Sequence, residues 1–278
     1  MAESPADPAP SADGGQEFVP ATPELLYERR GPVALLTFNR PAARNAMTWA
    51  MYEGLHAACA HVDADARVRV LLLRGAGDRA FVAGTDIGQF QAFTTAADAL
   101  GYEERISRYV GRLEAVQKPT IALIHGYCVG GGAVLALACD LRLASPDAQF
   151  GVPIARTLGN TLSVENVARL LALLGDARTK ELLFTGRLVA ADEARAVGVY
   201  NEVVPAERLE ARGRELAEQI AANAPLTLRS IKESVRRVRA HGRLERADDL
   251  LLMCYLSADF EEGVRAFLAK RPPRWEGR

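Results

Sequence analysis

Three consecutive glycines, Gly130–Gly132, lie between a short apolar segment, Ile121–Ile124, and an apolar stretch that begins at Ala133. Glycine lacks a Cβ atom, so its backbone can approach a bound group closely. The free N–H groups in the first turn of a following helix would point at that group with a favourable dipole. The spacing fits neither G-x-G-x-x-G nor a P-loop, which disfavours a nucleotide site. A turn forced by tight packing is the alternative explanation for the same residues.

A second loop of small residues, Ala80–Ile87, follows the predicted strand Val68–Leu73 and the turn Gly75–Asp78. Its backbone amides would be available at the C-terminal end of a parallel strand, where open α/β sheets bind ligands. Two such loops at neighbouring strand ends could each donate one N–H group to a single carbonyl oxygen. Such an oxyanion hole contributes roughly 3–4 kcal/mol of transition-state stabilisation per donor.

Elements that alternate between strands and helices position these loops. Short apolar runs predict strands at Leu25–Arg29, Val33–Phe38, Val68–Leu73, Pro119–Ile124, Leu141–Ala144, Gln149–Phe150 and Asn201–Val204. Helical spacing predicts helices from Thr48 to about Val62 and over Gly101–Val116, Ala133–Cys139, Val164–Leu174, Ala177–Phe184, Ala190–Val197, Ala206–Ala222, Leu226–Ala240 and Leu244–Ala269. Strands separated by helices indicate an α/β fold with a largely parallel sheet.

Three regions follow from this pattern. Residues 1–23 are rich in Ala, Pro, Ser, Asp and Gly, which predicts a disordered tail. Residues 24–205 form the predicted α/β core, and residues 206–278 a helical C-terminal region.

The composition excludes several classes of protein. A formal net charge of −1 gives no global field for nucleic acid or an anionic membrane. The cysteines are far apart in sequence, which argues against a disulfide framework or a zinc site and favours a reducing compartment. The chain has neither an apolar run long enough to span a membrane nor a secretory signal pattern, so we expect a cytoplasmic protein.

Further motifs accompany the two loops and occur from about Leu25 to the C-terminus. They are Asn39-Arg-Pro with Arg44-Asn-Ala46, Phe81–Ile87, His125–Gly132 with Cys139-Asp140, Gln149–Gly151, Thr185-Gly186, Gly198–Pro205 and Phe267–Arg271. In this order and spacing the chain resembles the enoyl-CoA hydratase/isomerase (crotonase) superfamily. The resemblance implies a spiral of ββα units with a helical C-terminal trimerisation region. It also implies an acyl-CoA substrate and a homotrimer or dimer of trimers.

The resemblance assigns roles to individual residues. Thr85 and Gly131 match the two residues whose backbone N–H groups hold the thioester oxygen. Contacts with coenzyme A are implied for a further set: Arg44, Ala46, Ala83, Asp86, Ile87, Gly130 and Lys270. A solvated lysine at a helix end is an equal alternative for Lys270, and a structural loop aspartate is one for Asp86. No cofactor is expected beyond the coenzyme A moiety of the substrate.

The chain departs from the superfamily pattern at the groups that transfer protons. Members that hydrate enoyl-CoA carry two glutamates, whose positions here hold Val134 and, after Pro153, Ile154. We expect these three residues to line the substrate pocket. Because neither aliphatic side chain can move a proton, we expect hydratase activity to be very weak or absent.

Other polar residues could replace the missing pair. Glu103 and Glu104 lie in the helical segment Gly101–Val116, a region that supplies acid or base groups in some members, although solvated helix acids are the favoured interpretation. Glu165, near a predicted N-cap at Ser163, is likewise expected to be a first-turn helix residue. Structural roles are favoured for His125, Tyr127, Cys128 and Asp140.

Two functions are therefore open. The first is an acyl-CoA enzyme that stabilises an enolate, such as an isomerase, a decarboxylase or a carbon–carbon lyase. The second is a non-catalytic acyl-CoA-binding or scaffold protein that has kept the fold and lost the chemistry.

Overall fold

The strands and helices follow the predicted alternation closely. The structure, a computed structural model, describes residues 18–90, 95–241 and 248–278. Its strands are β1 (Leu25–Arg30), β2 (Val33–Phe38), β3 (Val70–Gly75), β4 (Ala80–Val82), β5 (Thr120–Ile124), β6 (Tyr127–Val129), β7 (Leu141–Ala144), β8 (Gln149–Gly151), β9 (Val189–Ala190) and β10 (Glu202–Val203). Its α-helices are α1 (Trp49–Ala64), α2 (Ala96–Glu114), α3 (Gly131–Ala138), α4 (Ile154–Thr157), α5 (Val164–Thr185), α6 (Ala191–Ala196), α7 (Leu209–Ala221), α8 (Pro225–His241), α9 (Asp248–Tyr255) and α10 (Ala258–Leu268).

The strands of the described chain form two sheets that share a repeating unit. The larger sheet has the order β1-β2-β3-β5-β7-β10, and the smaller has the order β4-β6-β8-β9. Each successive pair, β3–β4, β5–β6 and β7–β8, sends its first strand to the larger sheet and its second to the smaller. A helix follows each pair, so the chain advances as a spiral of ββα units. Strands β2, β3, β5, β7 and β10 are parallel, as predicted.

Both faces of the larger sheet are covered, which explains its continuous apolar runs. On one face Val33, Val70 and Ile121 pack with Leu209 and Ala217 of α7. The side chains that alternate with them belong to the main core, which α1, α2 and α3 close. Helix α1 begins at the N-cap Thr48, whose hydroxyl accepts a hydrogen bond from the backbone of Met51 at 3.2 Å. None of the described helices is long and apolar enough to cross a bilayer.

The smaller sheet is the main difference from the strand prediction. Strands β4 and β6 each have three residues, and the residue pattern indicated loops at both places. Such short strands carry too few residues to establish an alternation. These strands are defined by their pairing. β4 pairs with β6, and β6 pairs with β8, and the paired strands lie far apart in the sequence.

Two helix predictions have different outcomes. The predicted break near Gly175 is confirmed, because α5 has a non-helical residue there with φ of 69°. The single helix predicted over Leu244–Ala269 is wrong, since α9 and α10 are separate and the Ser257 hydroxyl accepts a hydrogen bond from the Phe260 N–H at 3.0 Å. That contact starts a new helix. Residues 244–247 lie outside the described chain.

The packed chain begins earlier than the predicted boundary at residue 23. The Phe18 ring stacks on the His61 ring at a centroid distance of 4.9 Å, and Thr22 is buried. Residues 1–17 of the predicted tail lie outside the described residues. The three-region division otherwise stays a prediction.

Asn45 connects the loop after β2 to the segment that leads into the Ala80–Ile87 loop. It is fully buried and adopts the left-handed conformation with φ of 57°, which asparagine tolerates better than most residues. Its side-chain oxygen accepts a hydrogen bond from the Arg40 N–H, and its amide donates to the carbonyls of Ala76 and Ala80. The loop after β2 is thereby fixed to the start of β4.

We therefore predict that Asn45→Ala lowers the free energy of unfolding by about 2–4 kcal/mol, because it leaves buried polar groups without partners. Urea denaturation measures the change. Asn39→Ala, which removes one exposed side-chain contact to the Pro23 carbonyl, is the matched control and should cost less than about 1 kcal/mol. Equal losses in the two variants would contradict the role given to Asn45.

Candidate active site

Backbone hydrogen bonds bring Thr85 and Gly131 together. The N–H of Met47 donates to the carbonyl of Gly84 at 2.9 Å, and the N–H of Asp86 donates to the carbonyl of Met47 at 3.0 Å. Thr85 is held between them. Gly131 opens α3, and a Cβ atom added to it would lie 3.4 Å from the Thr85 nitrogen. The two predicted residues are therefore neighbours across the two loops.

The N–H groups of Thr85 and Gly131 have no acceptor in the described part of the chain. Two nearby amides do have acceptors: that of Gly130 donates to the Gly151 carbonyl at 2.9 Å, and that of Ala83 donates to the Arg44 carbonyl at 3.0 Å. Thr85 and Gly131 both line a cavity of about 290 Å³. Two free donors beside a cavity can accommodate one oxygen that carries partial negative charge.

A different structural constraint acts at each of the three glycines of the cluster. Gly130 has φ of +55° and ψ of −121°, a conformation that side chains disfavour. A Cβ atom on Gly132 would lie 2.0 Å from the Val82 carbonyl oxygen, so tight packing requires this glycine. A Cβ atom on Gly131 would lie 2.9 Å from the Tyr52 hydroxyl and 3.0 Å from the Thr85 hydroxyl. The packing explanation thus holds for Gly132, while Gly131 keeps the cavity wall open.

A chain of hydroxyl groups backs the Thr85 loop. The Thr85 hydroxyl lies 2.9 Å from that of Tyr52 and accepts a hydrogen bond from that of Tyr102 at 3.3 Å. Burial raises the pKa of both tyrosines, so both stay neutral at physiological pH. The residue patterns did not point to Tyr52 or Tyr102, because helical spacing marks them only as core residues.

The rest of the cavity wall is largely apolar. Val134, Pro153 and Ile154, the predicted pocket residues, all line the cavity, and Val134 is 3% exposed. The other large apolar side chains in the lining are Ile87, Ile106, Val110, Val129, Leu158 and Leu162, and the polar residues Thr157, Asn160, Thr161 and Asn166 also line the cavity. Hydrocarbon therefore lines the cavity at Val134 and Ile154, the two positions that the sequence analysis singled out.

The residues with predicted coenzyme A contacts do not all lie at the cavity. Ala83, Ile87 and Gly130 line it. Arg44 lies outside the lining, where its guanidinium is 5.2 Å from the centre of the Tyr127 ring. Ala46 also lies outside the lining. Lys270 follows α10, is exposed, and does not line the cavity of the single chain.

Asp86 has a structural role. Its carboxylate accepts a hydrogen bond from the Arg40 guanidinium at 2.6 Å and another from the Gly88 N–H at 2.9 Å. Both contacts lower the pKa of Asp86, and the contact with Arg40 has the larger effect. Arg40 also donates to the Ala46 carbonyl, so the pair ties the Thr85 loop to the segment after β2.

The structure places the remaining polar candidates in different surroundings. Asp140 accepts hydrogen bonds from the Thr120 N–H and from Lys232, as expected for a structural residue. Burial raises the pKa of Cys128 and lowers that of His125, and neither residue lines the cavity. Glu165 is exposed at the start of α5.

Glu103 departs from the favoured interpretation of a solvated helix acid. It is half-buried and lines the cavity together with Tyr102, Ile106 and Val110, which lie on the same face of α2, whereas Glu104 is exposed. That spacing was visible in the sequence. It could have indicated that Glu103 lies on an inward-facing stripe.

Comparisons with known proteins agree with the fold and the two loops. Residues 28–278 match the model of the family described as enoyl-CoA hydratase/isomerase. The chain is 32% identical over 250 residues to the short-chain-enoyl-CoA hydratase of Clostridium acetobutylicum, covering 89% of this chain and 95% of that protein. It is 32% identical over 258 residues to the 2,3-dehydroadipyl-CoA hydratase of Escherichia coli, covering 92% and 99% of the two chains.

Solved structures give the same result. A crystal structure of an enoyl-CoA hydratase/carnithine racemase from Magnetospirillum magneticum matches with a TM-score of 0.86 and 34% identity, covering 93% of this chain and 97% of that one. An enoyl-CoA hydratase/isomerase family protein from Hyphomonas neptunium matches with a TM-score of 0.86 and 35% identity, covering 92% and 98%. The chain belongs to the enoyl-CoA hydratase/isomerase family, an enzyme family whose substrates are acyl-CoA thioesters.

We predict that Asp86→Asn lowers the free energy of unfolding at pH 7 by about 1 kcal/mol, since it weakens the contact with Arg40. The folded-state pKa of Asp86 is lowered. Its stabilisation is therefore present above the ordinary carboxyl pKa of about 4 and is lost as pH falls through the folded-state value. Urea denaturation at pH 7 and pH 3 should give a difference between variant and wild type that shrinks in acid. Asp78→Asn, an exposed neighbour, should give no difference at either pH.

Proposed function

We propose that this protein acts on an acyl-CoA thioester by stabilising an enolate, and that it is not an ordinary hydratase. The backbone N–H groups of Thr85 and Gly131 would hold the thioester oxygen. The observation that carries the proposal is that these two donors have no acceptor within the described residues, lie side by side, and line one cavity. Charge that develops on the oxygen as the α-carbon is activated would be stabilised there without reorganisation.

The hydrocarbon at Val134 and Ile154 supports a reaction other than hydration. Addition of water across a double bond needs a base to activate the water and an acid to protonate carbon. Relatives of this chain carry the name hydratase, yet its own side chains at the two positions have no proton to give or take. Isomerisation, decarboxylation and carbon–carbon cleavage all pass through an enolate, and each is compatible with a stabilised thioester oxygen.

The assembly remains part of the proposal. Helices α9 and α10 leave large apolar side chains exposed on the single chain: Leu252, Tyr255, Leu256, Phe260 and Val264. Burial of such a surface favours association, which supports the predicted homotrimer. The predicted contact of Lys270 with coenzyme A depends on that assembly and is proposed with it.

A pair of variants tests the donor role of Gly131. Gly131→Pro removes the N–H group, whereas Gly131→Ala keeps it and introduces a similar crowding of the Tyr52 and Thr85 hydroxyls. We expect the proline variant to lose at least about 10²-fold in kcat/KM relative to the alanine variant, the usual effect of losing one oxyanion donor. Circular dichroism checks that both are folded. Equal activity of the two variants would exclude the N–H group of Gly131 from the reaction.

Hydration is tested with crotonyl-CoA. We expect wild-type turnover well below about 10 per second, a typical enzyme value, measured as loss of the ultraviolet absorbance of the conjugated thioester. Turnover at or above that value would contradict the exclusion of hydration. Malonyl-CoA, 3-enoyl-CoA and 3-hydroxyacyl-CoA substrates are assayed in parallel by mass spectrometry. Binding by thermal shift without any product from this panel would favour the alternative, a non-catalytic acyl-CoA-binding protein.

A further inference from the structure

Glu103 brings a carboxylate into a cavity whose wall is largely apolar. It lies inside α2, on the stripe that Tyr102, Ile106 and Val110 continue, and it lines the same cavity as Thr85 and Gly131. Among the described residues no donor forms a hydrogen bond or ion pair with its carboxylate. Of the other acids of this helix, Glu104 is exposed, Asp98 belongs to the capping box at the helix start, and Glu114 pairs with Arg169.

The surroundings of Glu103 favour its protonated form more than water does. Burial raises its pKa, and the nearby carboxylate of Glu165 raises it further. The other titratable groups that interact with it are the hydroxyls of Tyr52 on α1 and Tyr102 on α2, both neutral at physiological pH. Glu165 on α5 is therefore the charge that acts on it. A carboxylate whose pKa is raised by its surroundings is a stronger base than one in water, which suits it to accept and return a proton.

We propose that Glu103 is the catalytic acid–base residue of this enzyme. Of the reactions named under the proposed function, the one that a single such residue completes is isomerisation, a shift of a carbon–carbon double bond along the acyl chain. The inference rests on the proposed function, because it needs the thioester oxygen to be held by Thr85 and Gly131. Glu103 takes a proton from the α-carbon of a 3-enoyl thioester. The C–H electron pair becomes part of a dienolate whose negative oxygen receives the two backbone hydrogen bonds. The protonated Glu103 then returns a proton to the γ-carbon, which leaves the 2-enoyl thioester.

The single carboxylate suits this reaction. Removal and return of a proton regenerate the same group, so one base completes the cycle with no water, oxidant or second acid. Val134 on α3 and Ile154 on α4 contribute hydrocarbon to the same cavity. Hydrocarbon at these positions removes the groups that would bind and activate water, which protects the dienolate from side reactions.

The test uses trans-3-hexenoyl-CoA, whose conversion to the conjugated 2-enoyl thioester is followed by the rise in ultraviolet absorbance. We expect Glu103→Gln to lower kcat/KM by about 10²–10⁴-fold, the usual contribution of a general base. Glu103→Asp should retain part of the activity. Glu104→Gln, which changes the exposed neighbouring acid, is the matched control and should match the wild type. Wild-type rates in Glu103→Gln, or no isomerisation by a wild type that converts another thioester, would overturn the assignment.

Two further measurements separate this inference from the proposed function. Hexanoyl-CoA, which cannot isomerise, should raise the Tm of Glu103→Gln as much as that of the wild type, so a lost rate cannot be attributed to lost binding. If Gly131→Pro abolishes turnover while Glu103→Gln does not, the oxyanion hole stands and the role of Glu103 fails. If the wild type neither binds hexanoyl-CoA nor converts any thioester, the proposed function itself fails.

The pH profile supplies a readout that a structural role would not change. The ionised form of Glu103 is the base, so kcat/KM falls as pH drops through its raised pKa. Glu165→Gln removes the like charge on α5 and should lower the pKa of Glu103, which moves the acid limb of the profile to lower pH. If the acid limb is unchanged in Glu165→Gln and is still present in Glu103→Gln, the assignment of that limb to Glu103 is wrong.

Discussion

The site depends on the backbone hydrogen bonds that hold the Thr85 loop beside the start of α3. Met47 pairs with Gly84 on one side of Thr85 and with Asp86 on the other, while Gly130 donates to the Gly151 carbonyl. These bonds satisfy the amides of Met47, Asp86 and Gly130 and fix the backbone that carries Thr85 and Gly131, whose own N–H groups have no acceptor among the described residues.

The spiral of ββα units explains why the two loops meet. Each unit places one strand in the larger sheet and the next in the smaller, so the loop after β4 and the start of α3 after β6 lie side by side. Because both faces of the larger sheet are covered, the two loops extend from a well-packed part of the molecule. Glycine is required at Gly130 for its backbone conformation and at Gly132 for close packing, which leaves Gly131 as the open position between them.

The cavity combines a polar end with a hydrocarbon body. Its polar end includes the amides of Thr85 and Gly131 and the hydroxyls of Tyr52, Thr85 and Tyr102. Asn160 and Thr161 also line the cavity. Val134 and Ile154 belong to the hydrocarbon part, and Glu103 adds one half-buried carboxylate from α2. The arrangement that we propose, one held carbonyl oxygen with one proton-transferring group, differs from the two carboxylates that the family resemblance associates with hydration, although the chain shares its fold with proteins named hydratases.

Three features were determined by the sequence alone. They are the two loops of small residues around Thr85 and Gly131, the aliphatic side chains at Val134 and Ile154, and the alternation of strands and helices that predicts a parallel sheet. The small strands β4 and β6 and the burial of Glu103 were decided only by the tertiary structure. Three-residue strands carry no readable period, and their pairing partners are distant in the chain. Residues of α1, α5 and the loop after α4, such as Tyr52, Asn166 and Leu162, line the same cavity as Glu103. These elements are distant in the chain, and a carboxylate has the same chemical identity in water as in a cavity. Its environment, rather than its type, makes it a candidate base.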